Sequence, residues 1–150
     1  MEYLSNLGFL GTPASYFMDS IVVYLLLLPI LIIFSISLAK SRNYGLNRFI
    51  QTVLFLLMLI SIITFNYNIY MMKRFDSTET TIFFIIEMLL SLVTLIFWLS
   101  TLLFAIEDRR RKALPGFYSR SHKASGRRLF FIILIDIMVI LLLYWIVYVS

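Results

Sequence analysis

The chain of 150 residues has no cysteine, one histidine, five glycines and three prolines, and only 14% of it is charged. Without cysteine there is no disulfide, no thiolate metal site and no covalent haem attachment through a Cys-x-x-Cys-His motif, and the redox compartment leaves no mark on the sequence. The single histidine, His122, excludes a clamp of two imidazoles on a haem from this chain alone. Hydrolase constellations are missing as well. No Ser, His and Asp share one depth, and no glycine-rich loop is present to cradle a phosphate. A non-enzymatic protein is the expectation.

What the chain does have is apolar bulk: 61% of its residues are hydrophobic, against roughly 45–50% apolar usage in soluble domains. Four stretches hold the excess, Phe17–Ala39, Arg48–Met71, Thr80–Ala105 and Leu129–Val149. Each is near the roughly 20 residues that a helix needs to cross about 30 Å of hydrocarbon. A membrane β-barrel would show alternating segments of about ten residues instead. The reading is an all-α membrane protein, a four-transmembrane-helix up-down bundle of one domain spanning 1–150. The first stretch follows Glu2 with no Lys or Arg before it, and no small-x-small cleavage site comes after, so it reads as a retained helix rather than a signal peptide.

The formal net charge of +5 is unevenly placed. Lys40, Arg42 and Arg48 bracket the first connection, and Arg109, Arg110, Arg111, Lys112, Arg120, Lys123, Arg127 and Arg128 fill the third, which is eleven of the thirteen basic residues. The second connection has only Lys73 and Arg74, set against Asp76 and Glu79. The positive-inside rule then places the first and third connections in the cytoplasm and both termini on the non-cytoplasmic side. The Arg109–Lys112 run, with His122 and Lys123, reads as a basic cytoplasmic loop lying on lipid headgroups rather than on nucleic acid. The longest connection, Ile106 to Arg128, has 23 residues. Pro115 and Gly116 mark a turn in it, and Ser121–Arg128 could begin the last helix inside the headgroup layer. Pro29, inside the first helix, removes a backbone donor and should bend it.

Ionisable side chains cost about 2.5–3.5 kcal/mol at the bilayer centre, so each one inside a span needs a reason. Asp19 starts the first helix, Glu87 lies about two turns into the third, and Asp136 about two turns into the fourth, while Asn66 and Asn68 sit near the outer end of the second. Counted from helix ends, Asp19, Asn66, Asn68 and Glu87 share the outer leaflet. They could form a ligand-binding polar pocket for a cation or a proton. The plainer alternative makes Asp19 an interfacial acid favoured by the helix dipole and the asparagines interhelical glue. Asp136 reads as a structural buried acid, pairing with Gln51, Arg48 or another inner-end cation. Met18, Met71, Met72 and Met88 also fall near the outer face, where soft thioethers could suit Cu(I), although methionine is more often a flexible filler.

These residues resemble the CtaM-like family of small four-helix bacterial membrane proteins of unknown function, some members of which are linked to maturation of haem-copper cytochrome oxidases. The resemblance runs almost end to end. It is carried by Gly8-Phe9-Leu10-Gly11-Thr12 with Asp19 after it, by Leu46-Asn47-Arg48, by Glu87 eleven residues before Trp98, and by Ser119-Arg120-Ser121-His122-Lys123 followed by Gly126-Arg127. It implies a multi-pass protein of the bacterial cytoplasmic (inner) membrane. The implied role is assembly factor or accessory subunit of a respiratory haem-copper oxidase, with that oxidase or its assembly machinery as partner and haem or copper as a possible cofactor. Family members usually carry histidine where this chain has Asn47 and Glu87, and often another near the outer end of helix 2. A carboxylate and amides there would favour a harder ion or none. The alternatives are an ion- or small-molecule-binding protein using the pocket around Glu87, or a purely structural subunit of another membrane complex.

Overall fold

A computed structural model describes residues 8–41, 43–71, 78–110 and 117–149, with side chains given for these except Tyr44 and residues 107–123. Four helices make up the described chain: α1 (Tyr16–Lys40), α2 (Tyr44–Met71), α3 (Thr78–Arg110) and α4 (Phe117–Tyr148). All four are long and apolar enough to cross a membrane, which marks a multi-pass membrane protein. Their ends follow local chemistry. Ser15 has extended backbone, and its hydroxyl accepts from the Met18 N–H at 3.3 Å, capping α1. Asn43 does the same for α2, its side-chain oxygen 3.4 Å from the Leu46 N–H. α1 runs through Pro29 without interruption.

Two helices are longer than their apolar stretches suggest. α3 continues to Arg110 and α4 begins at Phe117. Hydropathy marks where hydrocarbon ends, whereas a helix goes on into the headgroup layer as long as its residues are good helix formers, which Glu, Arg and Lys are.

Consecutive helices pack on one another and α1 also packs on α4, closing a ring of four, with α3 and α4 sharing the broadest interface. Each side of the ring carries a side-chain hydrogen bond. Ser35 Oγ donates to Asn47 Oδ1 at 2.7 Å between α1 and α2, and Tyr24 donates to the Leu54 carbonyl at 2.9 Å. Asn66 reaches Glu87 between α2 and α3, Thr101 and Ser125 pair at 2.9 Å between α3 and α4, and Tyr144 reaches Asp19 between α4 and α1.

The buried faces differ in kind. α1 buries Met18, Ile21, Val22, Leu25, Leu28 and Ile32, and α4 buries Leu129, Ile133, Ile137, Ile140 and Leu143. α3 instead buries Thr80, Phe84, Glu87, Ser91, Thr94, Trp98 and Thr101. That spacing alternates four and three, the seam of a coiled-coil-like contact, yet its inward side chains are mostly polar. The opposite face of α3 exposes Ile82, Ile85, Leu89, Leu92, Ile96, Leu99 and Leu103. Lipid requires that outer face to be apolar, and van der Waals packing plus interhelical hydrogen bonds hold the inner one.

Candidate functional site

The inward seam of α3 sets the site, because Glu87 and Ser91 are one turn apart on it and point toward α4 and α2. Ser91 Oγ lies 2.9 Å from Glu87 Oε1 and 2.9 Å from Asp136 Oδ1. One hydroxyl thus bridges two carboxyl groups from neighbouring helices. Asn66 Nδ2 adds a 3.4 Å contact to Glu87 Oε1 while also donating to the Ile62 carbonyl at 3.0 Å. Thr94 adjoins the Asp136 carboxyl from the next turn of α3. Glu87 and Asp136 are both fully buried. Asp136 is twelve residues from each end of the Ala124–Tyr148 span, which is about 18 Å.

Hydrogen-bond capacity is not filled there. Glu87 Oε2, Asp136 Oδ2 and Asn66 Oδ1 are buried without a partner, and so is Trp98 Nε1 two turns along the same seam. A polar interhelical bond in a membrane contributes about 0.6 kcal/mol on average, while each acid costs about 2.5–3.5 kcal/mol to place at the centre. Three such bonds do not offset two such acids. Stability is therefore a poor account of why they are there, and buried orphan acceptors in a bundle interior are the usual mark of a site.

The proton count gives the site its chemistry. A serine hydroxyl has a single hydrogen, so Ser91 can donate to one carboxyl only. The other contact is complete when the second carboxyl carries a proton and donates it to Ser91 Oγ. The bridge as a whole then holds one acidic proton, the hydroxyl hydrogen and one negative charge.

Neither the family models, nor the curated proteins, nor the solved structures yield a match to this chain. Its chemistry rests on the geometry.

The other residues singled out in the sequence fall elsewhere. Asp19 is fully buried but belongs to a separate clasp. Its carboxyl accepts from the Leu10 N–H at 2.8 Å and the Tyr144 hydroxyl at 2.6 Å, with the Thr12 hydroxyl 3.2 Å away. Asn68 turns its amide back onto the Thr64 carbonyl of its own helix at 2.8 Å. Of the expected outer-leaflet set, Asn66 and Glu87 come together, Asp19 and Asn68 do not join them, and Asp136 takes their place. Asp136 meets Ser91 rather than Arg48 or Gln51, because α4 packs chiefly on α3 and not on α2. Of the basic loop, Arg111 and Lys112 lie outside the described residues, as do the side chains of Arg109, Arg110, His122 and Lys123.

Among the described residues no donor set fits a haem or a Cu(I) ion, and Met72 lies outside them. Asn47 Oδ1 is taken up by Ser35, and Glu87 offers a hard carboxylate oxygen in place of an imidazole or thioether. Met18 is buried while Met71 and Met88 are 57% and 49% exposed, so these thioethers do not converge inside the bundle. Among the described residues no group of three His, Cys, Asp or Glu side chains could hold a metal. A separate open groove of about 250 Å³ lies between α2 and α3, lined by leucines, Phe55 and Ile106 with Arg48 and Thr52 at its polar end, and the carboxyl pair takes no part in it. Sequence reasoning missed Ser91 and Thr94. The signal was present in the alternating spacing of Glu87, Ser91, Thr94, Trp98 and Thr101, five hydrogen-bonding side chains on one stripe of a span.

Proposed function

We propose that this is a cation-binding membrane protein whose ligand, in the first instance a proton, is held between Glu87 and Asp136 through Ser91. The observation that carries this reading is the single hydroxyl set 2.9 Å from two fully buried carboxyls. A proton moves across the bridge without charge separation: Glu87 gives its proton to Ser91 Oγ as Ser91 gives its own to Asp136, and the negative charge passes from Asp136 to Glu87. A small monovalent cation could replace the proton, with the two spare carboxylate oxygens and Asn66 Oδ1 as hard ligands. The test is labelling of the reconstituted protein by an apolar carbodiimide, which reacts with a protonated carboxyl. About one adduct per chain, at Glu87 or Asp136, is expected, with loss of labelling in Glu87→Gln/Asp136→Asn. Protection by sodium would identify the metal cation as the ligand. No adduct at either residue would overturn the reading.

The arrangement proposed for this bundle is up-down-up-down with both termini on the non-cytoplasmic side of a bacterial cytoplasmic membrane, supported by eleven of thirteen basic residues falling in the first and third connections. Single cysteines at Ser41 and Ser150 should then label from opposite faces. Labelling from the same face would reject it.

A respiratory setting, as assembly factor or accessory subunit of a haem-copper oxidase, rests on the resemblance to the CtaM-like family. A deletion strain should assemble less active terminal oxidase. Normal oxidase activity there would leave the carboxyl site as the protein's own business or make it a subunit of another complex.

A further inference from the structure

The carboxyl pair lies about 18 Å from either end of α4's span, so anything it binds needs a path, and the two directions along the bundle differ. Toward the Thr78 end, the next inward residue of α3 is Phe84, and the surrounding core is Phe65, Ile69, Ile140 and Leu143. These apolar side chains separate the pair from buried Thr80 and from the Asp19–Tyr144 clasp at that end. Toward the other end, α3 turns Ser91, Thr94, Trp98 and Thr101 inward over ten residues, a distance of about 15 Å.

The polarity of these groups alternates in a useful way. The hydroxyl hydrogens of Thr94 and Thr101 are committed to the Leu90 and Phe97 carbonyls at 3.0 and 2.8 Å, so both oxygens are left as acceptors. Between them Trp98, fully buried, presents an indole N–H with no partner. At the end of the row Ser125 of α4 pairs with Thr101 at 2.9 Å. Two acceptors flanking a donor on one wall offer water partners on either side of Trp98, and a buried indole N–H left unpaired costs about 1–3 kcal/mol. Leu129 and Ile133 of α4 are buried over the same stretch of the bundle.

We infer that the α3 seam from Ser91 to Thr101 is the water-lined route by which the Glu87–Asp136 pair exchanges protons. This rests on the proton-binding reading above. A hydronium delivered at Ser125 and Thr101 passes its proton along the row to Asp136, leaving water behind, and the reverse passage returns it.

The experiment is infrared spectroscopy of the full chain in lipid vesicles, following deuterium exchange into the carboxylic C=O band assigned by Glu87→Gln and Asp136→Asn. Trp98→Phe with Thr101→Val should slow exchange by about tenfold or more, the rate equivalent of roughly one lost hydrogen bond, while the band position stays unchanged. Thr101→Ser, which keeps the hydroxyl, should retain the rate of the unsubstituted protein. Unchanged exchange in the double variant, or equal slowing by Thr101→Ser, would overturn the route and leave the binding site intact. Absence of any carboxylic band sensitive to Glu87 and Asp136 would remove the site itself, and the route with it.

Discussion

Asp19 and the Glu87–Asp136 pair are all buried acids in a bundle of four helices, and they are treated in opposite ways. Around Asp19 the backbone itself bends to supply donors: Gly8 N–H bonds to the Thr12 carbonyl at 2.9 Å, Gly11 takes φ +74°, and the turn brings the Leu10 N–H onto the carboxylate. A side chain on Gly8 would not fit, since its Cβ would overlap Asp19 Oδ2 and sit 2.7 Å from the Ala14 carbonyl oxygen. Nothing comparable surrounds Glu87 and Asp136, each of which keeps one buried oxygen without a hydrogen bond. A satisfied buried acid holds a structure together, whereas an unsatisfied one is available to a ligand.

That contrast can be broken most directly at Asp19. Asp19→Leu should lower stability by about 3 kcal/mol, because it strands the Leu10 N–H and the Tyr144 hydroxyl in an apolar setting, and unfolding in mild detergent measures it. A change near zero would place Asp19 with the functional acids. Gly8→Ala should cost about 2 kcal/mol through the same clasp, with labelling at Glu87 and Asp136 unaffected. Ser91→Ala comes next at about 1 kcal/mol, the net worth of a hydrogen bond. Its sharper signature is in a double-mutant cycle between Glu87→Gln and Asp136→Asn, where the coupling present with Ser91 should shrink once the hydroxyl is gone. Glu87→Gln should have the smallest effect, within about 0.5 kcal/mol and of either sign, since an uncharged amide is less costly in the bundle interior. A loss as large as that of Asp19→Leu would erase the distinction between the two sites.

The sequence made the four helices legible, because apolar stretches long enough to cross hydrocarbon have few other readings. It also put Asn66 beside Glu87, since both lie a few turns from the same tight connection. The partner of Asp136 was not legible: it is Ser91 of α3 and not an inner-end cation, because α4 packs chiefly on α3. Asp19 shows the other limit: its partner Tyr144 is 125 residues away, and no local pattern announces such a pairing. The polar seam of α3 was hidden by its own surroundings. In a span whose lipid face must be apolar, threonine and serine at alternating spacing barely dent the hydropathy, although they fill the inner face.

The bond from Tyr144 to Asp19 also sets a schedule for making the protein. Tyr144 leaves the ribosome 125 residues after Asp19, or roughly 6–25 s later at about 5–20 residues per second. During that time the acid of α1 has only the Leu10 and Thr12 turn to serve it. The glycine turn thus acts as a temporary escort for a charge that cannot yet meet its partner, and the ring is sealed when α4 follows α1, α2 and α3.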